Sequence, residues 1–263
     1  MLIIAERINS TRKSIAEAIS KRDAAFIRKE ALSQAEVGAD YIDVNAGAFR
    51  DEAECLQWLV DVVQDVTDKP LCLDSASPDT LKRVIPTVKN PPMINSITLK
   101  PLRIDPVLPL IVEYKAKVIA LCESENAIAT TKEDKTAVAA GLVEKVTAQG
   151  VPLDDIYIDP LIFPVATNTM AAVASLDAIE FIMKEFPGVH TICGLTNISH
   201  GLPDRRLVNR SFLMAALTRG LDSAILDPTD KELYSAMKAT LMVLGRDEYC
   251  MEYISAYREG RLA

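Results

Sequence analysis

Short apolar runs in this chain end again and again on a carboxylate or an amide. Residues 2–8 (LIIAERI) carry Glu6 and lead to Asn9, residues 41–45 (YIDVN) carry Asp43 and Asn45, and residues 71–75 (LCLDS) carry Asp74. Asn95 lies in 93–97 (MINSI), Asp159 in 156–161 (IYIDPL), Asn197 closes 191–197, and Asp227 closes 223–227 (SAILD). One such aspartate reads as a turn former, because its side chain bonds the backbone of its own turn. The recurrence points instead to polar groups gathered round one ligand. Carboxylates accept hydrogen bonds in pairs, and amides both donate and accept. Asp74 and Asp159 with Asn95 and Asn197 therefore suit the edge of a neutral heterocycle rich in N–H donors. A pterin has such an edge, an amino group beside a ring N–H.

The residue types that are missing narrow the chemistry. No lysine sits where a Schiff base would form, and no Ser–His or Cys–His pair is placed for nucleophilic attack. His190 and His200 are the only histidines, so a histidine-built metal site is a poor reading and no bound metal is expected. His190 is read as structural and His200 as a candidate for lining the site. The cysteines (Cys55, Cys72, Cys122, Cys193, Cys250) are scattered, odd in number and without a C-x-x-C. That pattern suits thiols in a reducing cytosol better than disulfides or zinc. The acidic loop DPTDKE after the last apolar run argues against a phosphate cradle.

The elements that must position these groups follow from periodicity. The runs above, with 117–122 (KVIALC), read as eight buried strands. Helical stretches separate them. One follows the first strand, with Phe26, Ala31, Leu32 and Ala35 on one face and Gly38 as its C-cap. Another opens at Asp51 with Leu56, Leu59, Val63 and Val66 in a stripe. Pro78 opens a third, where its missing N–H costs nothing. Others lie near 108–114, through Val138, Leu142 and Val146, and over 205–219 up to Gly220. A last helix uses Leu233, Met237, Leu241 and Leu244. Strand and helix in alternation over this length match a (β/α)8 barrel, read here as a single domain over 1–263. A doubly wound sheet is the alternative, but no G-x-G-x-x-G follows the first strand. In such a barrel the ligand sits at the strands' C-terminal ends.

Composition agrees. The 263 residues are 49% hydrophobic and carry a net charge of −8, enough for a large core and the wrong sign for nucleic acid. No apolar run approaches a membrane span. Glu6 and Arg7 come too early for a signal peptide, so a cytoplasmic location is expected.

The chain resembles the methyltetrahydrofolate:corrinoid-protein methyltransferases, pterin-binding barrels akin to the folate half of cobalamin-dependent methionine synthase and to dihydropteroate synthase. The resemblance rests on ERIN, LCLDS, MINS, YIDPLI, GLTNIS and R-x-L-x-N-R-S-F in this order along the whole chain. It implies that Asp74, Asn95 and Asp159 hold the pterin and that Asn197 bonds near N5, the methyl-bearing atom. Gly194, Ser199 and Arg205 match motif positions of the same pocket, and Glu6, Asp43 and Asn45 join the candidate site as strand-end groups. The catalytic candidates are Asn197 and Asp74. Ala5, where relatives commonly have Gly, and His200 depart from the family pattern.

The implied reaction moves a methyl group between N5 of tetrahydrofolate and the cobalt of a corrinoid (cobalamin). The favoured direction yields 5-methyltetrahydrofolate, as in demethylation of a methylated amine such as glycine betaine. No Asp-x-His-x-x-Gly loop is present, so a separate corrinoid protein is the expected partner, and the family suggests a homodimer. A dihydropteroate-synthase-like condensing enzyme is the second reading, although GLTNIS lacks the lysine it would need. A folate-binding protein without catalysis is the third.

Overall fold

The computed structural model describes residues 1–125 and 129–263. Its strands are β1 Leu2–Asn9, β2 Tyr41–Asn45, β3 Leu71–Asp74, β4 Met93–Ile97, β5 Lys117–Leu121, β6 Ile156–Asp159, β7 His190–Thr191 and β8 Ser223–Leu226. They form one parallel sheet in the order β7-β6-β5-β4-β3-β2-β1-β8. Its two edges meet. Ile225 donates its N–H to the Cys193 carbonyl at 2.9 Å, and Ser223 Oγ donates to the Thr191 carbonyl at 2.6 Å. The sheet is therefore the expected (β/α)8 barrel.

Helices α1 Lys13–Lys21 and α2 Ala24–Glu36 follow β1, α3 Glu52–Gln64 follows β2, and α4 Pro78–Val84 follows β3. After β4 come α5 Pro101–Ile104 and α6 Leu108–Tyr114, then α7 Lys132–Thr147 after β5 and α8 Ala171–Glu185 after β6. Helix α9 Arg205–Thr218 precedes β8, and α10 Lys231–Val243 and α11 Met251–Arg258 end the chain. Local chemistry explains several of these boundaries. Ser77 accepts from Thr80 N ahead of Pro78, and Thr131 and Asp134 form a capping box that opens α7. Gly220, at φ 102°, turns the chain out of α9.

The strands' period of two sorts their side chains into two cores. Ile4, Tyr41, Cys72, Met93, Ile119, Tyr157 and Ile192 pack together inside the barrel. Alternate residues such as Ile42, Leu73, Ile94 and Val118 face the helices. Two residues beyond the inner plug, on the same face, stand Glu6, Asp43, Asp74, Asn95 and Asp159. Each buried plug side chain contributes about 1.5–3 kcal/mol, which helps offset the cost of holding carboxylates at the rim.

Three helical details differ from expectation. The first stretch is two helices, split where Arg22 takes φ 52° and Asp23 accepts from Phe26 N at 3.1 Å. The buried face of α2 is Ile27, Ala31 and Gln34, which leaves Leu32 37% exposed. The chain also continues past α10 into α11, and Leu244 is exposed at the end of α10 rather than on its buried stripe.

Candidate active site

A cleft of about 560 Å³ opens at the C-terminal ends of the strands. Asp43, Asp74, Asn95 and Asp159 form its floor. Glu6 and Arg12 line it from β1 and the loop after it, and Gly194, Asn197 and His200 from the segment after β7. Strand register explains the floor, because Asp74 lies opposite Asn95, and Leu121 opposite Asp159. Asn95 itself lies opposite Ile119, so Asp159 stands two residues further along the register, a stagger of the kind that tilted barrel strands carry.

Burial dominates the electrostatics. It pushes the Asp74 carboxyl up to about 6, against a hydrogen bond from Asn45 and the charge of Arg103. Asp159 is also pushed to about 6 by burial, opposed by the N–H of Leu161 (2.7 Å), the charge of Lys135 and the N–H of Gly194. Glu6 reaches about 7 by burial, with Arg12 at 3.2 Å pulling the other way. Asp43 is held well above the ordinary carboxylate range by burial and then by the charge of Asp74. Burial therefore raises each of these carboxyls above its ordinary value.

Asp43 Oδ1 is buried with no hydrogen-bond partner among the described residues. An orphaned acceptor on a floor of carboxylates fits a ligand edge made of N–H donors.

The expected seventh strand over 191–197 is shorter than the sequence pattern indicates. Strand β7 stops at Thr191, and Leu195–Ser199 is a 3-10 turn that carries Asn197, exposed, over the cleft. The reason is competition for backbone groups. Asn197 N donates to the Gly194 carbonyl at 3.3 Å and His200 N to the Asn197 carbonyl at 3.2 Å, bonds within the turn in place of a strand ladder. Arg205 ties the turn down, with Nη2 on the Thr196 carbonyl (2.8 Å) and Nε on Ser199 Oγ (3.0 Å).

Ser199 and Arg205 thus hold the turn and do not line the cleft. His200 stands on the rim, with Nδ1 3.0 Å from Arg205 Nη2. Asn45 also lies behind the lining. Its Oδ1 accepts from Ser10 Oγ (2.7 Å) and Gly47 N (3.1 Å), and its Nδ2 reaches the Asp74 carbonyl at 3.4 Å. Gly194 does line the cleft, and a Cβ there would lie 3.2 Å from Asn197 Nδ2.

Sequence reasoning missed Arg12 and Lys135. The signal for Lys135 was a lysine continuing the buried stripe of Ala139, Leu142 and Val146. Among the described residues, no group of three or more His, Cys, Asp or Glu is placed to hold a metal ion.

A family model described as "Pterin binding enzyme" matches residues 5–227. The chain belongs to this family. As a pterin-binding enzyme it is 36% identical over 265 residues to a methylcorrinoid:tetrahydrofolate methyltransferase of Eubacterium limosum, covering 100% of this chain and 98% of that one. A methionine synthase of Mycobacterium leprae is 31% identical over 239 residues, 86% of this chain but 20% of the synthase. Among solved structures, dihydropteroate synthase from Xanthomonas albilineans in complex with 7,8-dihydropteroate superposes with a TM-score of 0.68. It is 17% identical, with 93% of this chain and 92% of that one covered, a likeness of fold. No helix among the described residues of this pterin-binding enzyme is long and apolar enough to cross a membrane.

Proposed function

We propose that this chain is a methyltransferase acting between N5 of tetrahydrofolate and the cobalt of a corrinoid carried by a separate protein. The direction is from methylcorrinoid to tetrahydrofolate, giving 5-methyltetrahydrofolate. The observation that carries this reading is the full-length likeness to a methyltransferase of that name. A dihydropteroate-synthase-like reading has less support. The solved synthases are 13–17% identical, a likeness of fold alone, and the cleft lining includes no lysine among the described residues.

In this reading Asp74 and Asp159 accept from the pterin's amino group and ring N–H, Asn95 bonds the ring beside them, and Asp43 offers its free Oδ1. Asn197 meets N5 from the turn after β7. Ser199, Arg205 and Asn45 keep those groups in place, and Glu6 faces the substrate from β1. The corrinoid, when docked over the strand ends, supplies the cobalt that carries the methyl group.

The chain's own residues handle N5. That atom is a secondary amine in tetrahydrofolate, and its proton becomes acidic as the methyl group arrives. The Asn197 carbonyl oxygen accepts the N–H and orients the lone pair, while its amide N–H₂ serves the reverse step. The proton leaves through water to Asp74, whose value of about 6 suits a base at neutral pH. We extend the proposal to a homodimeric cytoplasmic enzyme acting as one domain over 1–263, which sedimentation of the purified protein tests for assembly.

The deciding experiment is anaerobic: purified protein, methylcobalamin and tetrahydrofolate, followed by absorbance. The cob(I)alamin band should appear together with 5-methyltetrahydrofolate. If the authentic methylated corrinoid protein also gives no product, in either direction, while folate still binds, the chain is a folate-binding protein without this catalysis.

A further inference from the structure

Lys135, in the first turn of α7, is fully buried at 0% exposure. Its Nζ donates to the carbonyl oxygens of Ala129 (3.0 Å), Leu161 (2.8 Å) and Pro160, and lies 4.9 Å from the centre of the Phe163 ring. Burial drives its pKa down. An ammonium has three N–H donors, however, and a neutral amine only two. Three carbonyls converging on one nitrogen select the charged form. Burying that charge is costly, and a leucine or methionine would complete the α7 stripe without the cost.

Two of the three carbonyls belong to Pro160 and Leu161, the residues directly after Asp159. Leu161 takes φ 57°, in the left-handed region that a branched side chain avoids, and its N–H bonds Asp159 Oδ1 at 2.7 Å. Lys135 therefore anchors the strained turn that aims this donor. The other titratable groups facing Asp159 are Cys122, directly after β5, and Cys193, two residues after β7, both buried thiols pushed towards the neutral form. The facing positive charge comes from α7.

We propose that Lys135 is a positioning residue for pterin recognition: its ammonium pins the 160–161 turn and keeps Asp159 an ionised acceptor for the ring's N–H edge. This rests on the reading of Asp159 as a pterin-binding carboxylate.

The test measures tetrahydrofolate affinity by calorimetry from pH 5.5 to 8.5, using the full-length protein. The variants are Lys135→Met, Asp159→Asn and the double variant. Lys135→Met should weaken binding about tenfold at pH 7 and move the acid loss of affinity up by about one pH unit. The KM for tetrahydrofolate should rise by more than kcat falls. In the Asp159→Asn background, Lys135→Met should weaken binding no further.

If Asp159→Asn binds tetrahydrofolate like the wild type, the pterin reading of Asp159 fails. If Asp159→Asn is weakened but a folded Lys135→Met keeps wild-type affinity and midpoint, the role of Lys135 is overturned. Should Lys135→Met not fold, wild-type protein labelled with ¹⁵N-lysine is titrated by NMR. A Lys135 ammonium signal with a midpoint near the Asp159 value of about 6, abolished by bound tetrahydrofolate, supports the role. A signal that ignores that titration overturns it.

Discussion

Replacing Gly194 with alanine tests the placement of Asn197 with a single methyl group. Gly194 sits at φ −73° and ψ 93°, a conformation alanine adopts without strain. The new Cβ would lie 3.2 Å from Asn197 Nδ2 and 3.9 Å from its Cγ. Ordinary contact begins at 3.4 Å, so the amide must retreat by a few tenths of an ångström. A misplacement of about 1 Å costs roughly a hundredfold in rate, so this retreat should lower kcat about three- to tenfold. The floor is untouched, so tetrahydrofolate affinity should stay within about twofold of wild type. The unfolded chain loses freedom, so the variant should be no less stable, gaining up to about 1 kcal/mol. Single-turnover absorbance under anaerobic conditions gives the rate, calorimetry the affinity, and thermal unfolding the stability. An unchanged rate with lost affinity would refute the reasoning, because Asn197 would then act only in binding.

Asn197→Ala itself should reduce kcat more than affinity, and equal losses in both would remove the transition-state role. Tetrahydrofolate affinity should rise as pH passes through about 6, where Asp74 and Asp159 ionise to become full acceptors. A flat calorimetric profile from pH 5 to 8 would contradict this. The same raised groups act oppositely on the fold. The native state binds more protons than the unfolded state between the ordinary and the raised values, so their contribution to stability falls as pH rises through that window. Glu6→Gln should therefore unfold at a higher temperature than wild type at pH 8, but not at pH 5, since Glu6 is raised from 4.5 to about 7. At the other end of the barrel, the pKa of His190 is raised from 6.5, first by its 2.6 Å bond to Asp222. The stability this contributes is fully present below pH 6.5 and lost as pH rises through the raised value. His190→Phe keeps the stack on Tyr157 (4.7 Å between ring centres), so its deficit in melting temperature should shrink between pH 6 and pH 9.

Much of this was legible in the sequence because two simple periods carry it. Strand alternation placed Glu6, Asp43, Asp74, Asn95 and Asp159 on the inner face, and helix–strand alternation implied the barrel. Polar partnership was not legible. Asn45 looks like a ligand group until its Oδ1 is seen to accept from Ser10, 35 residues away. Ser199 and Arg205 likewise belong to one hydrogen-bonded turn that no spacing rule reveals. Lys135 was hidden for the same reason, since the carbonyls that justify a buried ammonium come from two loops after different strands. The break at Arg22 depends on one left-handed residue, to which an amphipathic pattern is blind.

The shortness of β7 has a consequence for catalysis. Groups on the floor are carried by paired strands whose neighbours fix them, with Asp43 and Asp159 buried, so they suit recognition of a ring that does not change during reaction. N5 does change, from an amine that carries a proton to one that carries a methyl group. A side chain serving both forms must offer a donor in one and an acceptor in the other. Asn197 has both atoms on one amide, exposed on a 3-10 turn outside the ladder. Arg205 anchors that turn through Thr196 and Ser199, and the Asn197 backbone bonds Gly194 and His200, so only its side-chain amide stands outside these bonds. Had the strand continued through Asn197, the ladder would have fixed its backbone and pointed its amide one way. On the proposed reading, ending the strand at Thr191 leaves the pterin to the strands and the reacting atom to a side chain that can turn.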